Sequence, residues 1–269
     1  MQKIVFKISF HKLNTFIKNN WFFYLTGFLL LFGMKYFYSR ASVNHLSWLL
    51  APTAWWVQAL SGIPFHFVPC EGYVNHTYQF VIALSCSGMQ FMIITIATLL
   101  FPFIPQMDTN RKKIGWIISI LPVSYALTIL VNIIRILLSI YLPVIINQCM
   151  TDFASHPLIM QKSLTGSFLT PARLHTLIGT FVYFTSLFLI YQLTVLLTRR
   201  SLHSFLPPVF FYLALVLGIP FLNKAWQNGQ KQFTEYALLV VLVCLAVLFI
   251  YQLWNLLLKV ISRSLKQRI

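Results

Sequence analysis

The sequence predicts an all-α integral membrane protein of about six transmembrane helices plus one re-entrant or interfacial helix, in a single polytopic domain over residues 1–269. Three observations carry this prediction. Of the 269 residues, 58% are hydrophobic and only 9% charged, whereas a soluble domain carries about a quarter charged residues. Apolar runs longer than about 18 residues, the length a helix needs to cross a bilayer, recur along the chain. The 20 Lys and Arg, set against 4 acids, fall in short clusters between those runs, as membrane topology requires.

Taken in order, residues 1–20 carry Lys3, Lys7, Lys12 and Lys18 between Phe and Ile residues and read as a basic arm lying on the cytoplasmic surface. A first span covers Trp21 to Tyr38. It is basic-flanked and lacks a small-residue cleavage site, so it reads as a retained span and not a removed leader. Residues 41–60 are apolar but interrupted by His45, Pro52 and Gln58, which suits the re-entrant or interfacial helix. Residues 62–85, rich in aromatics, His and turn formers, form an extracytoplasmic excursion. Further spans run from Cys86 to Ile104, Ile114 to Leu142 and Arg173 to Thr198, with a polar loop at 143–172. Two more lie near 204–222 and 234–258.

With the N-terminus in the cytoplasm, thirteen of the Lys and Arg residues fall inside and five (Arg40, Lys162, Arg173, Lys224, Lys231) outside, leaving Lys35 and Arg135 within spans. That asymmetry predicts six crossings with both termini cytoplasmic, in the cytoplasmic (inner) membrane. The formal charge of +16 thus serves topology and lipid contact, and no nucleic-acid partner is expected. With Glu71, Asp108, Asp152 and Glu235 as the only carboxylates, paired-carboxylate catalysis and hard-metal sites are excluded.

Distance from the cytoplasmic anchors converts to depth. Cys86 lies 25 residues before Arg111, His175 24 before Arg199, and Arg135 22 after Lys113 on the intervening span. At about 1.5 Å per helical residue these are roughly 33–38 Å, the outer boundary of a hydrocarbon core about 30 Å thick. A thiol, a guanidinium and an imidazole at one level make a candidate nucleophilic site. Cys86 stands in Ser85-Cys86-Ser87-Gly88, expected in the first turn of its span, where free N–H groups and the helix dipole favour a thiolate. Arg135 follows Asn132 by one turn, so both face one way; an arginine in a span faces protein or a wet cavity and can stabilise an oxyanion. His175 is followed at i+4 by Gly179, which admits a close neighbour, and can carry a proton. Such thiol chemistry needs neither metal nor cofactor.

The Cys86-Ser87-Gly88 segment, the Asn132-Ile133-Ile134-Arg135 run and the His175 span start resemble, in order and placement, the signature of the exosortase/archaeosortase family, over about residues 40–200. The resemblance implies a thiol protease or transpeptidase with Cys86 as nucleophile and Arg135 and His175 as partners. It also implies substrates that are exported proteins with a PEP-CTERM-like tail: a short motif, a transmembrane helix and a basic cluster. Many members place a basic residue two positions after Cys-Ser-Gly, where this chain has Met89-Gln90-Phe91; this suggests a divergent subfamily similar to exosortase K.

Each residue has a plainer reading. Cysteines pack well in apolar spans, as Cys244 is expected to do. Arg135 alone could hold an anion or a lipid head group, making the chain a non-enzymatic transporter or envelope-assembly subunit. His66, His76 and His156 are alternative bases; Cys70 with His66 and His76 could hold zinc, though without paired-Cys spacing; Cys70 and Cys149 could pair as a disulfide.

Overall fold

The computed structural model describes residues 2–77, 80–154, 171–198, 205–223 and 230–266. No proline interrupts residues 2–40, and Gln2–Arg40 forms one helix, α1, that carries the expected arm and first span without a break. Helix α2 (Ser47–Ser61) is 15 residues long, about 22 Å at the helical rise. It lies along α4 (Asn110–Ala154), burying Leu49, Leu50, Thr53, Ala54 and Val57. Trp48 stacks on Tyr125 of α4, whose hydroxyl donates to the Trp48 carbonyl (2.9 Å).

The excursion is not irregular. It holds a three-stranded antiparallel sheet of β1 (His66–Val68), β2 (Gly72–Asn75) and β3 (Phe80–Ile82), in that spatial order, with Val74 opposite both His66 and Val81. The fold is therefore mostly helical and not all-α. Strands of three and four residues give too short an alternation to read as a period, but the residues are β-formers around a tight turn where Glu71 N–H meets the Val68 carbonyl (3.2 Å). Asn75 ties the sheet back to the chain through the Pro64 carbonyl (2.6 Å).

Cys86 does not begin a helix. It ends a 3₁₀ turn, Leu84–Cys86, and α3 starts only at Met89 after Gly88. Helix α3 ends at Leu100 because Pro102 disfavours helix at the residue before it. Around it pack α1, α4, α5 (Pro171–Thr198) and α6 (Leu206–Leu213). An 18-residue stretch within Leu84–Gln106 is 83% buried, against 17% for one within Gln232–Trp254 of α8 (Gln230–Lys266), so α3 is the central post and α8 an outer, apolar face.

Helix α4 also departs from expectation: it runs 45 residues, through Pro122 and Pro143, so residues 143–154 are helix where a loop was expected. Pro143 forfeits one backbone hydrogen bond, but apolar Val144 and Ile145 follow, and in an apolar medium a helix keeps every other backbone group satisfied. At the helical rise, α4 is about 68 Å long, twice the hydrocarbon core. Helix α6 passes through a π-helical turn (Ala214–Gly218) into the short α7 (Ile219–Leu222).

Among the described residues, four helical segments are long and apolar enough to cross a membrane: Leu84–Gln106, Asn110–Ile145, Arg173–Thr198 and Gln232–Trp254. Leu206–Leu222 is apolar but shorter. The Trp21–Tyr38 stretch is not among the four; Lys35 and three tyrosines dilute it. At the far end of the bundle the buried Lys113 ammonium donates to Asn20 Oδ1 (2.7 Å) and sits over the Phe23 ring, joining α4 to α1.

Candidate active site

A buried polar stripe runs along α4: Ser124, Thr128, Asn132, Arg135 and Ser139. Spaced three or four residues apart, they share one face, turned toward α3 and α5. In an apolar bundle such groups must find partners, and the middle of the stripe finds them in Cys86, His175 and Tyr183.

Arg135, 7% exposed, is the hub. One terminal nitrogen donates to the Tyr183 hydroxyl (2.9 Å) and the other lies 2.9 Å from His175 Nε2. A guanidinium only donates, so Nε2 accepts, and the neutral ring carries its proton on Nδ1. Tyr183 donates to Asn132 Oδ1 (2.9 Å), and Asn132 Nδ2 donates to the Cys86 carbonyl (2.6 Å). A directed chain thus runs from the Arg135–His175 pair to the backbone of Cys86. The Arg135 guanidinium also lies over the Tyr183 ring (5.0 Å), which stacks on Phe91 (4.9 Å between centroids, 24° between planes).

Two glycines make these contacts possible. A Cβ on Gly179 would stand 3.2 Å from Arg135 Nε; helix α5 brings its backbone against the guanidinium only because that atom is missing. Gly88, in the left-handed region (φ +77°), turns the chain into α3, and a Cβ there would meet Thr128 at 2.9 Å and Asn132 at 3.3 Å. Ser87 fixes the same turn. Its hydroxyl accepts from Met89 N–H (3.4 Å) and its side chain hydrogen-bonds Tyr38.

A cavity of about 180 Å³ opens beside the chain, lined by Ser85, Gly88, Arg135, His175 and Gly179 among others. Cys86 does not line it. The residue is 5% exposed, packs in the apolar cluster under α2 and the sheet with Ile82, Ile133 and Ile136, and has its Sγ 4.0 Å from Ser85 Oγ. It remains within electrostatic range of Arg135, Tyr38 and Tyr183. The thiol stands behind the cavity wall made by its neighbours in sequence. The free N–H groups of the first turn of α3, expected at Cys86, belong instead to the residues from Met89 onward.

All seven residues marked by the sequence (Cys86, Ser87, Gly88, Asn132, Arg135, His175, Gly179) meet at this one end of the bundle. Four tyrosines were not foreseen: Tyr183, which bridges Arg135 to Asn132, and Tyr38, Tyr212 and Tyr236, which line the cavity. Tyr183 had a signal, being four residues beyond Gly179 and eight beyond His175 on one helical face. The others are far apart in sequence and are joined only by packing. His66 and His76 are exposed on the sheet side, and among the described residues no three His, Cys, Asp or Glu side chains cluster as metal ligands do. His156 and the side chain of Cys149 lie outside the described residues. Cys244 is packed in the apolar cluster of α3, α5, α6 and α8.

No curated protein and no solved structure matches the chain. Residues 14–159, more than half of its length, match the family model described as transmembrane exosortase, a segment that contains Cys86, Asn132 and Arg135 and ends before His175. By that match the chain belongs to the transmembrane exosortase family.

Proposed function

We propose that the protein is a membrane-embedded cysteine peptidase or transpeptidase that cleaves C-terminal sorting tails from exported proteins. The observation that carries this reading is the unbroken hydrogen-bonded chain from the Cys86 carbonyl through Asn132 and Tyr183 to Arg135 and His175. In the reaction, His175 takes the thiol proton at Nε2, which displaces the Arg135 contact and frees that guanidinium nitrogen. The Cys86 thiolate attacks the scissile carbonyl carbon, and the oxygen takes up the electron pair beside Arg135. Collapse expels the amine, which receives the proton from His175, and leaves an acyl group as a thioester on Cys86. Water or an acceptor nucleophile then attacks that thioester, again with proton transfer through His175. The Cys86 side chain rotates between its apolar cluster and the cavity in the free protein, and bound substrate holds it in the cavity.

The tail's transmembrane helix docks laterally against the spans and presents its junction at the extracytoplasmic boundary of the cytoplasmic membrane. The protein crosses six times with both termini inside, as the thirteen-to-five distribution of basic residues supports. The test is Cys86→Ala in cells exporting a protein that ends in an apolar helix and a basic cluster. The variant is expected to insert normally while uncleaved substrate accumulates; normal processing by it sinks the proposal.

A second reading, a transporter or envelope-assembly subunit using Arg135 as an anion or lipid site, draws on the burial of Cys86 behind the cavity wall. A membrane-impermeant alkylating reagent separates the two. A nucleophilic Cys86 reacts from outside, whereas a packing cysteine does not.

A further inference from the structure

The cavity is bounded on two sides by elements of different standing. One wall carries the candidate chemistry: Ser85, Gly88, Arg135, His175, Gly179 and Tyr183. The far wall is Tyr212 from α6, Val216 from the π turn and Tyr236 from the start of α8. These three lie beyond residue 159, where the family match ends, and beyond the segment that carries the sequence resemblance. The π turn is a second, independent mark. Insertion of a residue into a helix costs hydrogen-bond geometry and is frequent at functional sites, and here it carries buried Val216 to the cavity.

We infer that the far wall makes this cavity a side-chain subsite that accepts one neutral, ring-sized side chain of the cleaved peptide next to the scissile bond and rejects cationic ones. The inference rests on the peptidase reading of the same site. Size and chemistry set the occupant. About 180 Å³ is close to the roughly 150 Å³ of a protein cavity that holds a benzene molecule, so there is room for one ring. Four tyrosines, Tyr38, Tyr183, Tyr212 and Tyr236, are in the lining; the Tyr183 ring is engaged by Arg135 and Phe91, and Tyr38, Tyr212 and Tyr236 offer aromatic contact. Arg135 is also in the lining and no carboxylate is; a second cation entering the cavity finds a like charge and no counter-charge. Because Arg135 already donates to Tyr183 and His175, its role toward the occupant is exclusion of positive charge and not capture of an anion.

The full-length protein in detergent micelles tests this without a known substrate. Bromoacetamide, its N-benzyl derivative and a derivative bearing a trimethylammonium group all alkylate a thiolate by the same displacement of bromide. Their rates at Cys86, read by peptide mass and divided by their rates with glutathione, isolate the contribution of the cavity. The benzyl reagent is expected to exceed the trimethylammonium reagent at least tenfold. Val216→Trp, which fills the cavity, and Tyr236→Ala, which opens it, are each expected to bring that ratio below about threefold. A wild-type ratio equal to that of glutathione, or one that persists in both variants, overturns the subsite while leaving the nucleophile intact. No reaction of Cys86 with bromoacetamide itself overturns the peptidase reading, and the subsite with it.

Discussion

Tyr183→Phe removes one oxygen and nothing else. The ring keeps its stacking on Phe91 and its place beneath the Arg135 guanidinium, but two hydrogen bonds of 2.9 Å are lost, one from Arg135 and one to Asn132 Oδ1. A hydrogen bond to a charged group is worth about 1.5–3 kcal/mol. If that energy holds Arg135 where negative charge develops, its loss slows cleavage about ten- to hundredfold at roughly 1.4 kcal/mol per decade. Interhelical hydrogen bonds in membrane proteins average only about 0.6 kcal/mol toward stability, so thermal unfolding is expected to shift little. The assay is single-turnover cleavage in proteoliposomes beside a melting curve in detergent. Asn132→Ala added to Tyr183→Phe is expected to slow cleavage by less than the product of the two single effects, because both residues belong to one chain. A single-turnover rate within about twofold of wild type, with an unchanged melting curve, refutes the positioning role of the Tyr183 hydroxyl.

Three other substitutions follow from the same geometry. Gly179→Ala sets a Cβ 3.2 Å from Arg135 Nε and is expected to lower the cleavage rate about tenfold through a shifted guanidinium, with melting close to wild type. Gly88→Ala forces a left-handed backbone on an L residue, which costs about 1–2 kcal/mol, and adds a contact of 2.9 Å with Thr128; thermal unfolding should show at least that loss. Cys244→Ala, in the outer apolar cluster, is expected to leave cleavage unchanged and to cost about 1 kcal/mol of stability as a small cavity, which separates the packing cysteine from the reactive one.

That Cys86, Arg135 and His175 lie at one end of the bundle is legible because basic anchors fix helix depth, and depth is linear in residue number; that the Cys86 thiol stands behind the cavity wall is not. The supporting residues were legible by helical spacing: Asn132 one turn before Arg135, Gly179 one turn after His175. The same spacing reaches Tyr183, and the signal was there to be extended. What the sequence hid is tertiary or short-range. The strands of the excursion are too brief to show alternation, and Pro143 reads as a stop until the apolar residues after it are weighed. The Ser87-Gly88 pair moves the start of α3 past Cys86, because a glycine at φ +77° ends one turn before another begins. Tyr38, Tyr212 and Tyr236 belong to three helices whose approach no local pattern encodes.

The central claim is that an acyl group passes through the sulfur of Cys86. Acid quenching of wild-type membranes during processing, followed by non-reducing electrophoresis, measures it directly. The account predicts a substrate fragment covalently attached to the protein, released by hydroxylamine as a thioester is, and missing from Cys86→Ala. Substrate cleavage at the wild-type rate by Cys86→Ala, with no hydroxylamine-labile species in either protein, contradicts it.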